Sequence, residues 1–354
     1  ATAKPIKYPM AGMKSHEVKL HVYDVASGND LIVKTGEPAE QYLTSITWNP
    51  DNERLYIGVL NRGQNHLKFN EYSALNGDYL QTIFEDKDEQ YVEPVGPAHF
   101  LPNNTKEFLW LAQRDGFYHI WKHNVETKEA KQITKGDFVI TAFEGFDKNG
   151  NNIYYTSTEV SPLERHFYKH NLKNGKKVKV TIEHGTHGVT PSASGKYFID
   201  SYSSTDVARN VDIMDANGNF VKRLHEAADP LKDYNIGTIE LGELKAEDGQ
   251  TLYTRMIKPY NFDENKKYPV IIYVYGGPHA QMITDEWTAG AGIYLHYLSQ
   301  EGFIVFTLDN RGSADRGEAF EQVIHRQCGQ AEMRDQKVGI DYLKSLPYVD
   351  AERI

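Results

Sequence analysis

The chain has 354 residues, of which 40% are hydrophobic and 25% are charged, and its formal net charge is −10. This length and composition are enough for the cores of two soluble domains. The acidic balance argues against a nucleic-acid partner, because neutralising phosphates requires clustered Lys and Arg. Cys328 is the only cysteine, which excludes a disulfide framework and a cysteine-based metal site.

The first two thirds of the sequence repeat a pattern of strand end, polar turn and strand start. The copies begin at Trp48, Phe100, Phe146 and Thr190, so the spacings are 52, 46 and 44 residues. A period of about 40 to 50 residues that holds four strands is typical of β-propeller blades. An irregular β-sandwich with turns at similar spacing is the alternative interpretation.

The N-terminal segment predicts the remnant of one further blade. Residues 1–45 contain the alternating strand Val18–Asp24 but no complete repeat. Four blades and a remnant are too few for most propellers. We therefore expect a partial propeller over residues 1–229, with unpaired strand groups where the ring is open.

The pattern changes after Pro230, where strands begin to alternate with helices. The sequence predicts, in chain order, a hairpin, a buried strand, a helix, a second buried strand and a second helix: 242–257, 269–275, 289–300, 303–308 and 332–346. The last helix carries its apolar face at helical spacing, on Val338, Tyr342, Leu343 and Leu346. This alternation favours a parallel sheet with helices on both faces, over residues 230–354.

The first buried strand runs directly into a Gly-Gly-Pro turn, and Tyr275 is the residue before the turn. A tyrosine hydroxyl held on such a turn can donate a hydrogen bond into a cleft, as an oxyanion hole requires. The alternative is that Tyr275 is merely the last residue of a buried strand. The second strand ends in the polar turn Asp309–Ser313, at the sheet edge where open α/β folds place active sites. Taken alone, that turn is better explained as structural.

One pattern resembles a metal site without completing it. Glu183, His184 and His187 have metal-like spacing, but a zinc site needs three or four converging ligands. The sequence predicts no metal there.

Five ordered motifs resemble the dipeptidyl peptidase IV family, within the prolyl oligopeptidase superfamily of serine peptidases. They span nearly the whole chain: Lys7–Gly12, Tyr275–Ala280, Asp309–Ser313, Gly329–Gln336 and Val349–Ile354. The family pairs an N-terminal β-propeller with an α/β-hydrolase domain. The resemblance therefore implies a partial propeller of about four blades plus a remnant, followed by the N-terminal part of an α/β-hydrolase domain.

The resemblance implies a serine exopeptidase that releases N-terminal dipeptides with Pro, or less readily Ala, in second position. The family's tyrosine oxyanion donor falls on Tyr275, whereas acylaminoacyl peptidases usually have His before Gly-Gly-Pro. Such a donor stabilises the transition state by about 3 to 4 kcal/mol. The partner implied is a peptide substrate, and no cofactor, metal or nucleic acid is implied.

The resemblance also implies an internal fragment of a bacterial enzyme. In the family, the motif at Val349–Ile354 leads into a Gly-x-Ser-x-Gly nucleophile elbow, which this sequence lacks. The catalytic Ser, Asp and His, and the glutamates that anchor the substrate amino group, are expected outside this chain, which alone is predicted inactive. Family resemblance further places the parent in the periplasm or cell envelope and suggests a homodimer. The alternatives are an acylaminoacyl or prolyl tripeptidyl peptidase, or a non-catalytic propeller binding protein.

Overall fold

The structure is a computed structural model of the chain. It describes these residues: Lys4, Tyr8, Met10, 12–192 and 194–354. In the N-terminal motif Lys7–Gly12, the residues Lys7, Pro9 and Ala11 lie outside the described residues.

The chain divides into two compact units. One comprises Ala1–Ala112 with Ile120–Gln132, and the other comprises Gln113–His119 with Ile133–Ile354. Within the described ranges, no helix combines the length and the hydropathy needed to cross a bilayer.

Most of the chain forms small antiparallel sheets, whose neighbouring strands are consecutive in sequence. A hairpin comes first: β1 (His21–Tyr23) and β2 (Asp30–Ile32). The first four-stranded sheet contains β3 (Gln41–Trp48), β4 (Arg54–Asn61), β5 (His66–Ser73) and β6 (Tyr79–Lys87). The second contains β7 (His99–Phe100), β8 (Glu107–Gln113), β9 (Tyr118–Asn124) and β10 (Ala130–Gln132). The third contains β11 (Ile140–Phe146), β12 (Asn152–Ser157), β13 (His166–Asn171) and β14 (Lys177–Lys179). The fourth contains β15 (Thr186–Pro191), β16 (Tyr197–Ser203), β17 (Asn210–Asp215) and β18 (Phe220–Glu226).

The sequence repeat coincides with the turn between the first and second strands of each sheet. Each turn contains one residue in the left-handed region, with φ between +57° and +65°: Asn52, Asn103, Gly150 and Gly195. Asn and Gly are the residues that adopt this conformation at least cost, which explains why they recur at the same point of every repeat. The predicted propeller-like series of four-stranded sheets is confirmed.

Aromatic side chains pack between neighbouring sheets. In the first unit, the ring centroids of Phe69 and Trp110 are 4.8 Å apart. In the second unit, Phe198 contacts both Tyr154 and Phe167 at 5.3 Å. All five side chains are buried. Aromatic pairs at such distances add stabilisation to their large buried area, so they hold the first sheet against the second and the third against the fourth.

The C-terminal part of the chain forms one mixed sheet flanked by helices. Its strands are β19 (Ile239–Lys245), β20 (Thr251–Ile257), β21 (Val270–Ile272) and β22 (Ile304–Leu308). Their spatial order is β19-β20-β22-β21, and only β21 and β22 run parallel. The helices are α1 (Ile293–Gln300), α2 (Glu318–Glu321) and α3 (Ala331–Ser345), with short 3-10 segments at Trp287–Gly290 and Gln322–Ile324. The hairpin predicted within residues 242–257 is present as β19 and β20, and it joins the parallel pair of buried strands in antiparallel orientation.

The strand β22 lies at the centre of this sheet and is buried along its whole length. Phe306 belongs to a core cluster with Leu343 of α3, whereas Val305 belongs to another cluster with Leu295 of α1. Alternate residues of a strand point to opposite faces, so the two helices cover opposite sides of the sheet. The prediction of a second buried strand with helices on both faces is confirmed.

Two predictions for this part of the chain require correction. The strand expected over residues 269–275 ends at Ile272, and Tyr273, Val274 and Tyr275 are exposed by 42%, 45% and 62%. After the Tyr273 N–H bonds the Phe306 carbonyl oxygen at 2.8 Å, the chain leaves the sheet and turns at Gly276, so the β-branched composition of the run does not keep its last residues buried.

The second correction concerns one residue of the apolar face predicted for α3, since Leu343 and Leu346 of that face do pack against the core. Tyr342 is exposed, whereas Asp335 and Gln336 are buried together with Leu343. The two polar side chains are buried because they bind the turn that follows β22.

Candidate active site

Tyr275 lies in the loop that follows β21, which we call the Tyr275 loop (residues 273–283). The loop begins with Tyr273, whose backbone N–H donates to the Phe306 carbonyl oxygen at 2.8 Å. The chain then turns at Gly276, which has a φ of +73° that an L side chain rarely adopts. Among the described residues, none forms a hydrogen bond with the Tyr275 hydroxyl, so this donor is free to bind a ligand.

Gly277 leaves room for the Tyr275 ring. A Cβ atom built on Gly277 would lie 3.0 Å from Cε1 of Tyr275, which is closer than ordinary van der Waals contact. The ring therefore packs over the bare backbone of Gly277. The second glycine of the motif thus helps to set the direction of the phenol.

Asp309 anchors the far end of the Tyr275 loop. Its carboxylate accepts hydrogen bonds from the backbone N–H groups of Met282, at 2.9 and 3.2 Å, and Ile283, at 3.0 Å. The side chain is 4% exposed. Burial raises the pKa of Asp309 to about 6, although the backbone donors and the Arg255 charge act in the opposite direction.

Arg255 is a second buried anchor of the same loop. From β20, its Nη1 atom donates to the Met282 carbonyl oxygen at 2.8 Å and to the Ala289 carbonyl oxygen at 2.6 Å. Its Nη2 atom donates to Thr307 Oγ1 at 3.1 Å. Burial lowers the pKa of the Arg255 guanidinium. Residue 282 is therefore bound through both its N–H and its C=O to charged side chains of the sheet.

The polar turn Asp309–Ser313 is held internally and faces the protein. Arg311 is 2% exposed and binds both carboxylate oxygens of Asp335, with the shortest bond 2.7 Å from Nη2 to Oδ1. Asn310 receives a hydrogen bond from Gln336 Nε2 at 3.1 Å and donates to the Arg311 carbonyl oxygen at 2.8 Å. The turn thus supports the sheet edge, in agreement with its structural interpretation.

The structure brings the two predicted loops together. The N–H of Ala314 donates to the Ala280 carbonyl oxygen at 3.4 Å, beside the bonds from Asp309 to the Tyr275 loop. Sequence reasoning missed the anchoring roles of Asp309 and Arg255. A charged residue at an inward position of a strand is the only signal that could have drawn attention to Arg255.

The histidines with metal-like spacing have other partners. His187 Nδ1 lies 2.9 Å from Asp200 Oδ2 inside the fourth sheet, whereas His184 Nδ1 lies 2.7 Å from Asp285 Oδ2. Within the described part of the chain, no group of three potential ligands could hold a metal ion.

Comparison with known families places this geometry in context. Residues 1–209 match the family described as the dipeptidyl peptidase IV (DPP IV) N-terminal region, and residues 292–354 match the prolyl oligopeptidase family. The first three four-stranded sheets and half of the fourth therefore fall in the region that matches the first family, and the C-terminal helices fall in the region that matches the second. The first match covers more than half of this chain, so the chain belongs to the dipeptidyl peptidase IV family.

Individual relatives agree with this assignment. The chain is 30% identical to a probable dipeptidyl peptidase 4 of Aspergillus fumigatus, over 99% of this chain and 47% of the relative. It is 25% identical to dipeptidyl peptidase 8 of Mus musculus, over 99% of this chain and 48% of the relative. The chain spans about half the length of these relatives.

Two solved structures of bacterial proteins are also similar. A putative dipeptidyl aminopeptidase IV of Bacteroides ovatus has a TM-score of 0.94 and 38% identity, covering 99% of this chain and 52% of that protein. Dipeptidyl peptidase 4 of Porphyromonas gingivalis has a TM-score of 0.89 and 30% identity, covering 98% of this chain and 49% of that protein.

Proposed function

We propose that the protein containing this chain is a serine peptidase that releases Xaa-Pro, or less readily Xaa-Ala, dipeptides from peptide amino termini. The observation that carries the proposal is the exposed Tyr275, whose hydroxyl is free among the described residues and whose loop is fixed by Asp309 and Arg255. Relatives that match almost the whole chain are named dipeptidyl peptidases, which supports the same substrate class.

Tyr275 would act by stabilising charge in the transition state. Attack of a serine on a peptide carbonyl moves negative charge onto the carbonyl oxygen, and a preorganised donor lowers the energy of that state. The Tyr275 hydroxyl and a backbone N–H would supply the two donors. A fixed loop is useful here, because a donor that must first be ordered loses part of its contribution.

Residues 230–354 would be the N-terminal portion of an α/β-hydrolase domain. The parallel pair β21 and β22, with α1 and α3 on opposite faces, supports this assignment, as does the superfamily match over residues 292–354. The nucleophilic serine, its histidine base and the acidic residue would come from outside this chain. We therefore expect the 354-residue chain alone to be inactive.

The preceding sheets would form part of a larger propeller. On the fourth sheet, Tyr197 and Ile199 are exposed by 51% and 46%, on the face opposite the buried Phe198. An apolar sheet face of this kind needs a further sheet to cover it. A closed propeller would exclude folded proteins and restrict the enzyme to short peptide ends.

The decisive experiment compares two chromogenic substrates on the full-length protein, Gly-Pro with a free amino terminus and the same substrate with a blocked one. Cleavage of the free form alone is the expected result for a dipeptidyl peptidase. Cleavage of the blocked form would favour an acylaminoacyl peptidase or an endopeptidase, and cleavage of neither would favour a non-catalytic propeller protein. Release of tripeptides from longer peptides would indicate a prolyl tripeptidyl peptidase.

The location and assembly of the parent are also proposed from the family. Export to the periplasm or cell envelope and a homodimeric state are the expectations. Cell fractionation and light scattering of the purified full-length protein would test them, and a cytosolic monomer would reject both.

A further inference from the structure

Arg165 connects the third sheet to the C-terminal sheet region. It directly precedes β13, and its side chain is 14% exposed. Its Nη2 atom donates to Gln281 Oε1 at 2.5 Å and to Asp315 Oδ2 at 2.6 Å. One guanidinium thus holds both the Tyr275 loop, which contains Gln281, and Asp315, which lies two residues after the turn Asp309–Ser313.

Further hydrogen bonds join the Tyr275 loop and the residues after it to the third and fourth sheets. Gln281 Nε2 donates back to the Pro162 carbonyl oxygen at 2.8 Å, and the Asp285 N–H donates to the Leu163 carbonyl oxygen at 2.7 Å. Asp285 also accepts from the Thr205 N–H at 2.9 Å. The segment that follows Tyr275 is therefore fixed to the propeller-type sheets as well as to Asp309.

The geometry favours a positioning role for Arg165 over direct contact with substrate. Its Nη1 atom donates to the carbonyl oxygens of Pro162 and Glu164, each at 2.9 Å, in addition to the two bonds from Nη2. Each terminal nitrogen of a guanidinium carries two protons, so all four of these donors are already used. A planar fork with every terminal donor engaged defines one orientation of the groups it binds.

We propose that Arg165 is a positioning residue for the oxyanion donor Tyr275, acting through Gln281 and Asp315. This inference rests on the proposed function, because it assigns Tyr275 a role in peptide cleavage. Loss of the guanidinium would leave Gln281 without its strongest partner and would free the Tyr275 loop on the side opposite Asp309. Asp315 is 30% exposed at its side chain, so water can replace its lost partner and the fold survives the change.

The first test measures the loop directly, by amide hydrogen exchange in the full-length protein. Arg165→Met should accelerate exchange in peptides that cover residues 276–283 by at least about fivefold, because local opening becomes easier. Arg223→Met is the matched control, since Arg223 binds Asp212 within the fourth sheet and contacts neither loop. Unchanged exchange in residues 276–283, or an equal increase with the control, would overturn the proposal.

The second test asks whether Arg165 acts through Tyr275. Arg165→Met should lower kcat for the Gly-Pro substrate by about 10- to 100-fold, with a smaller change in KM. In a Tyr275→Phe background the same substitution should lower kcat by less than about threefold, because the group that it positions is already absent. Arg165→Lys, which keeps charge but not the fork, should recover only part of the rate.

The outcomes distinguish a failure of the positioning role of Arg165 from a failure of the proposed peptidase function. Equal losses of kcat in both backgrounds would mean that Arg165 acts independently of Tyr275 and would overturn the positioning role. Absence of any dipeptide cleavage by the unmodified protein would reject the proposed function. The exchange comparison would then still decide whether Arg165 fixes the loop.

Discussion

Asp335 on α3 and Arg311 in the turn after β22 form a buried ion pair whose removal should be costly. Asp335 is 0% exposed and Arg311 is 2% exposed. The carboxylate accepts three bonds from the Arg311 side chain, between 2.7 and 3.1 Å, and a fourth from its backbone N–H at 2.8 Å. We consider Asp335→Asn, which preserves the shape of the side chain but removes its charge.

The burial of the pair determines how much stability Asp335→Asn should lose. Removing one partner of a buried pair costs about 3 to 5 kcal/mol, because the remaining charge stays desolvated. The amide introduced at position 335 would also direct its N–H donors towards a guanidinium that has only donors. Arg311 keeps weaker contacts with the exposed Asp248 and Glu247, which places the expected loss near about 3 kcal/mol.

Thermal unfolding of the full-length protein provides the assay. At about 2 to 4 °C per kcal/mol, the transition that reports the C-terminal domain should fall by about 6 to 12 °C. Asp341→Asn is the control, since Asp341 is exposed on the same helix, and it should change stability by no more than about 0.5 kcal/mol. If both variants behave alike, the exposed carboxylates alone satisfy Arg311, and the argument from buried charge is wrong.

Three further predictions follow from the site and its supports. Tyr275→Phe should lower kcat by about 10²- to 10³-fold with little change in KM, as steady-state kinetics would show. Because the pKa of Asp309 is raised to about 6 from 3.8, its stabilising effect is complete below the lower value and is lost as pH rises through about 6. Asp309→Asn should therefore gain thermal stability relative to the unmodified protein between about pH 4 and pH 7, by about 3 kcal/mol. Gly237→Ala should destabilise by about 3 kcal/mol or more, because the added Cβ would lie 1.7 Å from the Lys258 carbonyl oxygen.

Each of these predictions has a result that contradicts it. An unchanged kcat for Tyr275→Phe would make Tyr275 only a loop residue. A pH-independent difference for Asp309→Asn would mean that the carboxyl group titrates alike in the folded and unfolded states. Gly292→Ala is the control for Gly237→Ala, since its Cβ would meet nothing within 4 Å, and equal losses would reject the steric argument.

The sequence predicted those features that depend on local chemistry. Asn103 and Gly150 mark the same turn in different repeats because few residues adopt a left-handed backbone cheaply, and this exposed the period of the sheets. The turn after Tyr275 could likewise be predicted, since Gly276 and Gly277 favour one, although the strand before it ends earlier, at Ile272. Both inferences needed only neighbouring residues.

The supports of the site could not be predicted in the same way. Arg165 and Asp315 are distant in sequence, and nothing near either residue indicates the other. The burial of Asp335 could not be predicted either, because a periodic pattern records apolar faces and cannot show that a carboxylate has a buried cation to bind. The early end of β21 depended on where the following loop leaves the sheet to bind Asp309 and Arg255, which no pattern near the strand indicates.

The segment 281–287 is bonded to both the third and the fourth sheet, and these bonds limit how the second unit can move. Arg165, His184 and Ser203 all bind this segment, the last through the Trp287 N–H at 3.2 Å. These two parts of the second unit cannot separate along this border without breaking charged hydrogen bonds. Any motion that separates these two parts elsewhere must therefore turn about this border, which acts as a fixed hinge line within the second unit.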